Sequence, residues 1–303
     1  MSQVIKLAAL TISCILVLIF TIYEGSFVLK PTPQDLKSAV IENEEMHKGV
    51  GTYIISLDRS VARYEKIKPL LAKLSLPVEK INAVDGSKLP FKEIERKVDI
   101  GSYINFMGKA PQRGTIGCSL SHIKTWETFL ASDFEYALIL EDDITFNPSL
   151  LLNSIQDLIK HSTMWDMVTF EIHHRGLPLM VEYLPHINRE LSVYLTSITH
   201  SGAYLINRET ARKFLAKALP IKMPIDHYFT RSWELDVRIL GIEPRIVHQT
   251  FGDSEINNTK RVGEKSQNNN LEKINIQRFV FNVESAIMRF AYNIALYVKE
   301  ILA

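Results

Sequence analysis

One stretch constrains this chain more than any other: Tyr136 to Phe146, YALILEDDITF, an apolar run that drives straight into three consecutive carboxylates. Ala137, Leu138, Ile139 and Leu140 are too few for a free-standing helix, so they read as a buried strand with Glu141, Asp142 and Asp143 at its carboxyl end. In an open α/β sheet that end is where ligands bind. Adjacent acids repel one another and make poor local structure unless a cation sits among them. On an extended chain Glu141 and Asp143 point to one side and Asp142 to the other, so a Glu-x-Asp pair is able to share one hard metal ion. The same residues also suit an acidic turn that leaves the sheet, and the pattern alone leaves both readings open.

The chain has 303 residues, 46% of them apolar, which is enough for one large or two modest globular units with a real core and excludes a disordered protein. A net charge of +1 gives no global field for nucleic acid or another polyanion. The two cysteines, Cys14 and Cys118, do not make a disulfide framework and fit a reducing compartment. Leu7 to Tyr23 is a 17-residue run without charge, at the lower limit for a membrane-spanning helix, and no small-residue cleavage pattern follows it. The expectation is therefore an uncleaved membrane anchor over residues 1–29, with a signal peptide or a buried helix as the alternatives. Lys6 on one side and Lys30 and Lys37 on the other leave its orientation open.

Residues 30–51 turn polar, with Pro31, Pro33 and several glutamates, and read as a spacer. Thr52–Leu57 is the first core strand. A helix follows, with Val61, Tyr64, Ile67, Leu71 and Leu74 on one face and Pro69 expected to bend or shorten it. Val78–Val84 is a second strand closed by Asp85-Gly86, so the class is α/β. Residues 91–113 have no clear period. Arg113 to Leu130 is helical, with Gly114 and Gly117 at its start where backbone N–H groups are able to approach a phosphate, and with His122 either a polar ligand or a core histidine.

Pro148–His161 is a helix, and Met167–Ile172 a strand with Glu171 near its end. The adjacent His173 and His174 are a poor pair for one metal. Val193–Ser197 and Ala203–Ile206 are short strands, followed by a helix over Asn207–Lys217. Pro224 leaves Asp226 at a helix start, as a plain N-cap or as a positioned carboxylate. Arg245–His248 is the last strand. The polar, asparagine-rich 257–273 region is a linker. In the tail, 274–303, Phe279, Val283, Ile287, Phe290, Ile294 and Val298 recur at helical spacing, giving an amphipathic helix that docks on the domain, pairs with another chain or lies in a membrane interface.

Several segments, in this order, resemble glycosyltransferase family 25, the group holding bacterial lipooligosaccharide galactosyltransferases and collagen galactosyltransferases. They are YIISLDRSVAR (Tyr53–Arg63), INAVDGSKL (Ile81–Leu89), GTIGCSLSHIKTW (Gly114–Trp126), LILEDDITF (Leu138–Phe146), SGAYLINRETARKFL (Ser201–Leu215), PID (Pro224–Asp226) and VHQTFGDSEI (Val247–Ile256). Thr115, where the family pattern leads one to expect an acid, and the N-terminal run are departures.

The resemblance implies a GT-A fold over residues 52–256, a Rossmann-like sheet whose acidic motif holds Mn²⁺ or Mg²⁺ on the diphosphate of a UDP-sugar, UDP-galactose first. It implies metal ligands Glu141 and Asp143 with His248 in addition, and donor contacts at Ser56, Leu57, Arg63, Asp85, His122 and Asp142. As an inverting transferase the enzyme needs a carboxylate to take the acceptor proton, with Asp226 the first candidate and Glu171 the second. The implied acceptor is a lipid-linked oligosaccharide of the lipopolysaccharide type. The expected setting is a bacterial inner membrane, with the catalytic domain facing the cytoplasm.

Two other readings stand beside it. One is a catalytically idle GT-A-fold scaffold, motivated by Thr115. The other is a luminal, collagen-type protein glycosyltransferase, motivated by the sequon at Asn257 to Thr259.

Overall fold

Apolar runs alternating with helical faces build a twisted mixed sheet with helices packed on it, in a computed structural model that describes residues 49–174, 178–250, 261–262 and 276–302. The Leu7–Tyr23 run, most of the spacer, the sequon and most of the polar linker lie outside the described residues. Those that are described belong to one compact unit, Val40–Ala303.

In chain order the elements are β1 (Val50–Ser56), α1 (Val61–Ala72), β2 (Val78–Asn82), α2 (Phe91–Lys97), α3 (Ile100–Met107), α4 (Arg113–Ala131), β3 (Tyr136–Glu141), β4 (Ile144–Phe146), α5 (Pro148–Lys160) and β5 (Met167–Thr169). There follow β6 (His173–His174), β7 (Pro178–Leu184), β8 (Arg189–Tyr194), β9 (Ile198–Thr199), β10 (Ala203–Asn207), α6 (Arg208–Lys217), α7 (Ile225–Phe229), α8 (Ser232–Leu235), β11 (Ile239–Glu243), β12 (Val247–Gln249) and α9 (Ile276–Leu302). The main sheet has eight strands in the order β2-β1-β3-β10-β5-β11-β8-β7. Its first three strands run parallel, and β10 then enters antiparallel to both β3 and β5.

The fully apolar β3 sits in the middle of this sheet, with Ala137 through Leu140 completely buried, as its composition requires. On one face α4 and α6 close an aromatic core. Trp126 packs on Phe214 with ring centroids 5.0 Å apart, and Tyr204 packs on Phe229 at 5.3 Å. Truncating a fully buried ring of this kind costs about 3–5 kcal/mol.

Four expectations shift. Residues 91–113, which lack a period, hold the two short helices α2 and α3. The β7–β8 hairpin replaces the strand expected at Val193–Ser197. The strand expected over Met167–Ile172 ends at Thr169, because Phe170 turns away to bind Ala203 and Val247. The last strand, expected over Arg245–His248, is the short β12, which pairs β4 outside the main sheet, and the place in the main sheet goes to the unexpected β11. Pro69 lies inside α1, which ends at Ala72.

Candidate functional site

The carboxyl ends of β1 and β3, the start of α4 and the loop after β2 enclose a cleft with about 750 Å³ of empty volume, part of it open to solvent. Its walls are shaped by close backbone approach. A Cβ at Gly86 would overlap the Arg113 carbonyl, and one at Gly117 would meet Val84 O at 2.5 Å and Gly86 N at 2.7 Å. Gly117 therefore serves to seat the 84–86 loop on α4, while Gly114 lines the cleft.

Of the residues expected at the donor site, Ser56, Leu57, Arg63, Asp85, His122 and Asp142 all line this cleft, together with Glu141 and Asp143. Asp85 caps the short turn Gly86–Lys88, accepting from Ser87 N (3.1 Å) and Ser87 Oγ (2.6 Å), and pairs with Arg59. Burial opposes its charge, but the bonds from Ser87 and Arg59 outweigh burial and hold its carboxyl below the usual range.

Strand alternation stops at Glu141, because Asp142 and Asp143 form a turn. The acids consequently face different partners. Glu141 accepts from Ser201 Oγ at 2.6 Å and meets His122 Nε2 at 3.3 Å. His122 Nδ1 lies 2.8 Å from the Tyr204 hydroxyl, which also receives the Trp126 indole N–H at 3.0 Å. An ionised Glu141 only accepts, so His122 places a proton on Nε2 toward it, and with a neutral ring Nδ1 accepts the Tyr204 proton while the Tyr204 oxygen accepts from the indole. Burial raises the Glu141 pKa, but the contacts from His122 and Ser201 outweigh it and leave the group ionised below the ordinary range.

Asp143 is held differently. Arg63 Nη2 reaches its Oδ2 at 3.2 Å and Gln249 Nε2 at 3.1 Å, while Arg63 Nη1 reaches Asp142 Oδ1 at 3.3 Å. Oδ1 of Asp143 is buried without a hydrogen-bond partner. Burial, then the Glu141 charge, push the Asp143 pKa up to about 6. An orphaned oxygen on a carboxylate beside other acids fits a hard divalent cation. Cys118 Sγ, His122 and Glu141 also bring ligand atoms within 4.8 Å of one another. That set is engaged in the Tyr204–His122–Glu141–Ser201 chain, and burial holds its thiol protonated, so it is the poorer match for an oxygen-seeking ion.

His248 is not among the cleft residues. It pairs with Thr145 on the exposed part of β12, and the next residue, Gln249, faces Asp143. On a strand neighbours alternate sides, and that single step separates them.

A second cavity lies on the other side of Cys118, which lines both. Tyr103, Met107, Thr115, Ser201 and Asp226 are in its wall. Asp226 stands in the first turn of α7, where its Oδ1 accepts from His227 N (2.9 Å) and its Oδ2 from His200 N (3.3 Å). Glu171 lines neither cavity. It is buried with His200 Nδ1 at 2.8 Å and Gly202 N at 3.1 Å, and a Cβ on Gly202 would overlap its Oε2. His200 carries a left-handed φ of 87° that a β-carbon disfavours, and its bond to Glu171 raises its pKa. Tyr204, His200, Ser201 and Gln249 were not singled out by the sequence reading. The segment SGAYLIN held two of them, Ser201 and Tyr204, but only the pairing of β10 with β3 discloses what they face.

The profile of "Glycosyltransferase family 25 (LPS biosynthesis protein)" matches residues 50–229. Procollagen galactosyltransferase 1 of Danio rerio is 24% identical over 218 residues, covering 65% of this chain and 36% of that protein. A probable inactive glycosyltransferase 25 family member 3 of Rattus norvegicus is 25% identical over 228 residues, covering 67% and 39%. The crystal structure of S. aureus TarS residues 1–349 in complex with UDP-GlcNAc aligns with a TM-score of 0.43 at 15% identity, over 71% of this chain and 62% of that one. The chain spans about a third of the length of the curated relatives it matches. With the matched profile running from β1 to α7 and so enclosing the acidic turn, both cavities and Asp226, the chain belongs to glycosyltransferase family 25.

Proposed function

We propose that the chain is an active hexosyltransferase that moves a sugar, galactose first, from a UDP-sugar to a lipid-linked, lipopolysaccharide-type glycan with inversion at the anomeric carbon. The observation that carries this is the pair of adjoining cavities, one holding acids and an arginine and the other holding Asp226, with Cys118 in the wall of both. A donor in the first and an acceptor in the second would meet at that partition.

The chain's own residues divide the work. Arg63 and Asp85 border the space for the nucleotide and its phosphates. The Trp126–Tyr204–His122 chain fixes Glu141 as a carboxylate at the partition, with Ser201 on its other side. Asp143 and Asp142 would hold Mn²⁺ or Mg²⁺, whose charge offsets that of the departing diphosphate. Asp226 takes the proton of the acceptor hydroxyl, and Glu171 supports it through His200, whose backbone N–H meets Asp226. The Leu7–Tyr23 run would tether the domain to the membrane that carries the acceptor.

Against an idle scaffold, the motif acids and Asp226 are all present, and Thr115 lies in the second cavity instead of among the acids. The test is turnover of UDP-Gal, UDP-Glc, UDP-GlcNAc and UDP-GalNAc with Mn²⁺, with Asp226→Asn alongside. Transfer that falls by about 10²-fold or more in Asp226→Asn with UDP binding unchanged supports the reading. No turnover of any donor by the wild type refutes it.

A further inference from the structure

The 27-residue α9 docks on the domain through a mixed side, with Leu296 and Tyr297 buried beside polar groups. Ser285 and Asn293 are buried, Arg231 Nη1 donates to Ser285 Oγ at 3.1 Å, and Asn293 Nδ2 donates to the Tyr194 carbonyl at 2.5 Å. Arg289 stacks on Trp233 at 5.1 Å, where burial, then the neighbouring Arg231 charge, push its pKa down to about 10. The side turned to solvent carries an apolar stripe, with Asn282, Glu284 and Lys299 exposed outside it. Val280, Val283, Ile287 and Ile301 are 55%, 41%, 61% and 50% exposed. With Ala291, Ile294 and Val298 they fall in an arc of about 80° that contains no charged residue. A contiguous apolar patch of this kind marks an interaction surface.

We infer that this face lies on the surface of a lipid bilayer, with α9 in the plane of the membrane and the second cavity beside it. Size argues against a second copy of the chain. A stripe about 40 Å long and 10 Å wide buries roughly 800 Å² in a symmetric pair, short of the roughly 1,200 Å² at which stable interfaces begin. A bilayer sets no such threshold. Among the described residues no helix is long and apolar enough to cross a membrane, so α9, with its mixed side committed to the domain, rests on lipid and does not span it.

The sequence N-terminal to the described residues points to the same occupant. The 17 uncharged residues Leu7–Tyr23 are joined to Gly49 by 25 residues, with an extended reach of up to about 85 Å. A lipid surface that holds this run is therefore presented to α9 at a raised effective concentration. The placement also suits chemistry, and here it rests on the proposed reading of a lipid-linked acceptor. Phe106 of α3 packs between Phe281 of α9 (5.4 Å) and His227 (5.2 Å), and its helix neighbours Tyr103 and Met107 line the second cavity. A face seated on lipid would hold that cavity one helix away from the bilayer.

The test uses the full chain in vesicles of phosphatidylethanolamine and phosphatidylglycerol, with and without bromine on the acyl tails. Tryptophan is introduced at Ile287 (I287W) and, as a control, at exposed Lys68 on α1 (K68W). Quenching several-fold stronger for I287W than for K68W, and its fall by several-fold when V283E is added to I287W, support the inference. Equal quenching at both positions, or none at 287, overturns it. A dimer that V283E/I287E converts to monomer, without quenching at 287, also overturns it and assigns the face to a protein partner. UDP-sugar hydrolysis measured on the same samples separates the two readings. Its persistence without quenching defeats the lipid surface alone, and its absence in the wild type defeats the proposed function whatever the quenching.

Discussion

Replacing Asp143 by asparagine should stabilise the metal-free protein. Asp143 has a pKa pushed up from 3.8 to about 6 by burial first and by the Glu141 charge second. The folded state thus holds this proton more tightly than the unfolded chain does. Between about pH 4 and pH 6 the native state carries the extra proton, so the Asp143 contribution to stability falls as pH rises, then levels off above pH 6. The shift of about 2 units corresponds to about 3 kcal/mol of destabilisation at neutral pH. Asp143→Asn removes that cost, and the ion pair to Arg63 at 3.2 Å that it gives up is already contained in the shift, which Arg63 lowers. The net gain is about 3 kcal/mol, or a rise in Tm of about 6–12 °C in chelator at pH 7.5, fading below about pH 4. Thermal unfolding with and without Mn²⁺ at a series of pH values checks it. Mn²⁺ should raise the wild-type Tm and leave Asp143→Asn nearly unmoved. An asparagine variant less stable than wild type in chelator at pH 7.5 would refute the idea that this carboxylate is undercompensated.

Tyr204→Phe leaves the Trp126 indole N–H and His122 Nδ1 without their shared partner in a fully buried site, so stability should drop by about 1–3 kcal/mol in urea unfolding. The same change frees the His122 tautomer, so the pH profile of turnover should shift, which a purely structural loss would not cause. Gly202→Ala drives a Cβ into Glu171 Oε2, and activity should fall with KM for the acceptor rising more than KM for the donor, because the displaced groups lead to Asp226.

Where burial on both faces dictates composition, the sequence was readable. The apolar β1 and β3, the glycine-bearing start of α4 and the acidic turn follow from local pattern, and all the expected donor residues line one cleft. Other parts depend on tertiary pairing. Strand β7 is a half-buried edge whose pattern alternates weakly, and β11 contains Gly241, where a side chain would strike Ile172 and Tyr194. His248 and Gln249 differ by one step of register, which sequence does not settle at the end of a three-residue strand. His200 and Tyr204 gain their roles only because β10 runs antiparallel to β3 and brings Gly202 O to Glu141 N at 2.8 Å. The amphipathic pattern of the tail was plain, but not that its buried side mixes Ser285 and Asn293 with Leu296 and Tyr297 while much of its apolar stripe faces solvent. A half-buried arginine over Trp233 and an asparagine that donates to a backbone carbonyl carry no periodic signal.

The central claim is that the acidic turn and Arg63 form a metal-assisted site for a nucleoside diphosphate. Calorimetric titration of UDP into the full chain, with Mn²⁺ and with chelator, for wild type and Asp143→Ala, tests it most directly. The account predicts binding that weakens by about tenfold or more on removing either Mn²⁺ or the Asp143 carboxylate, with no further loss when both are removed. UDP affinity that is the same in all four titrations would contradict it.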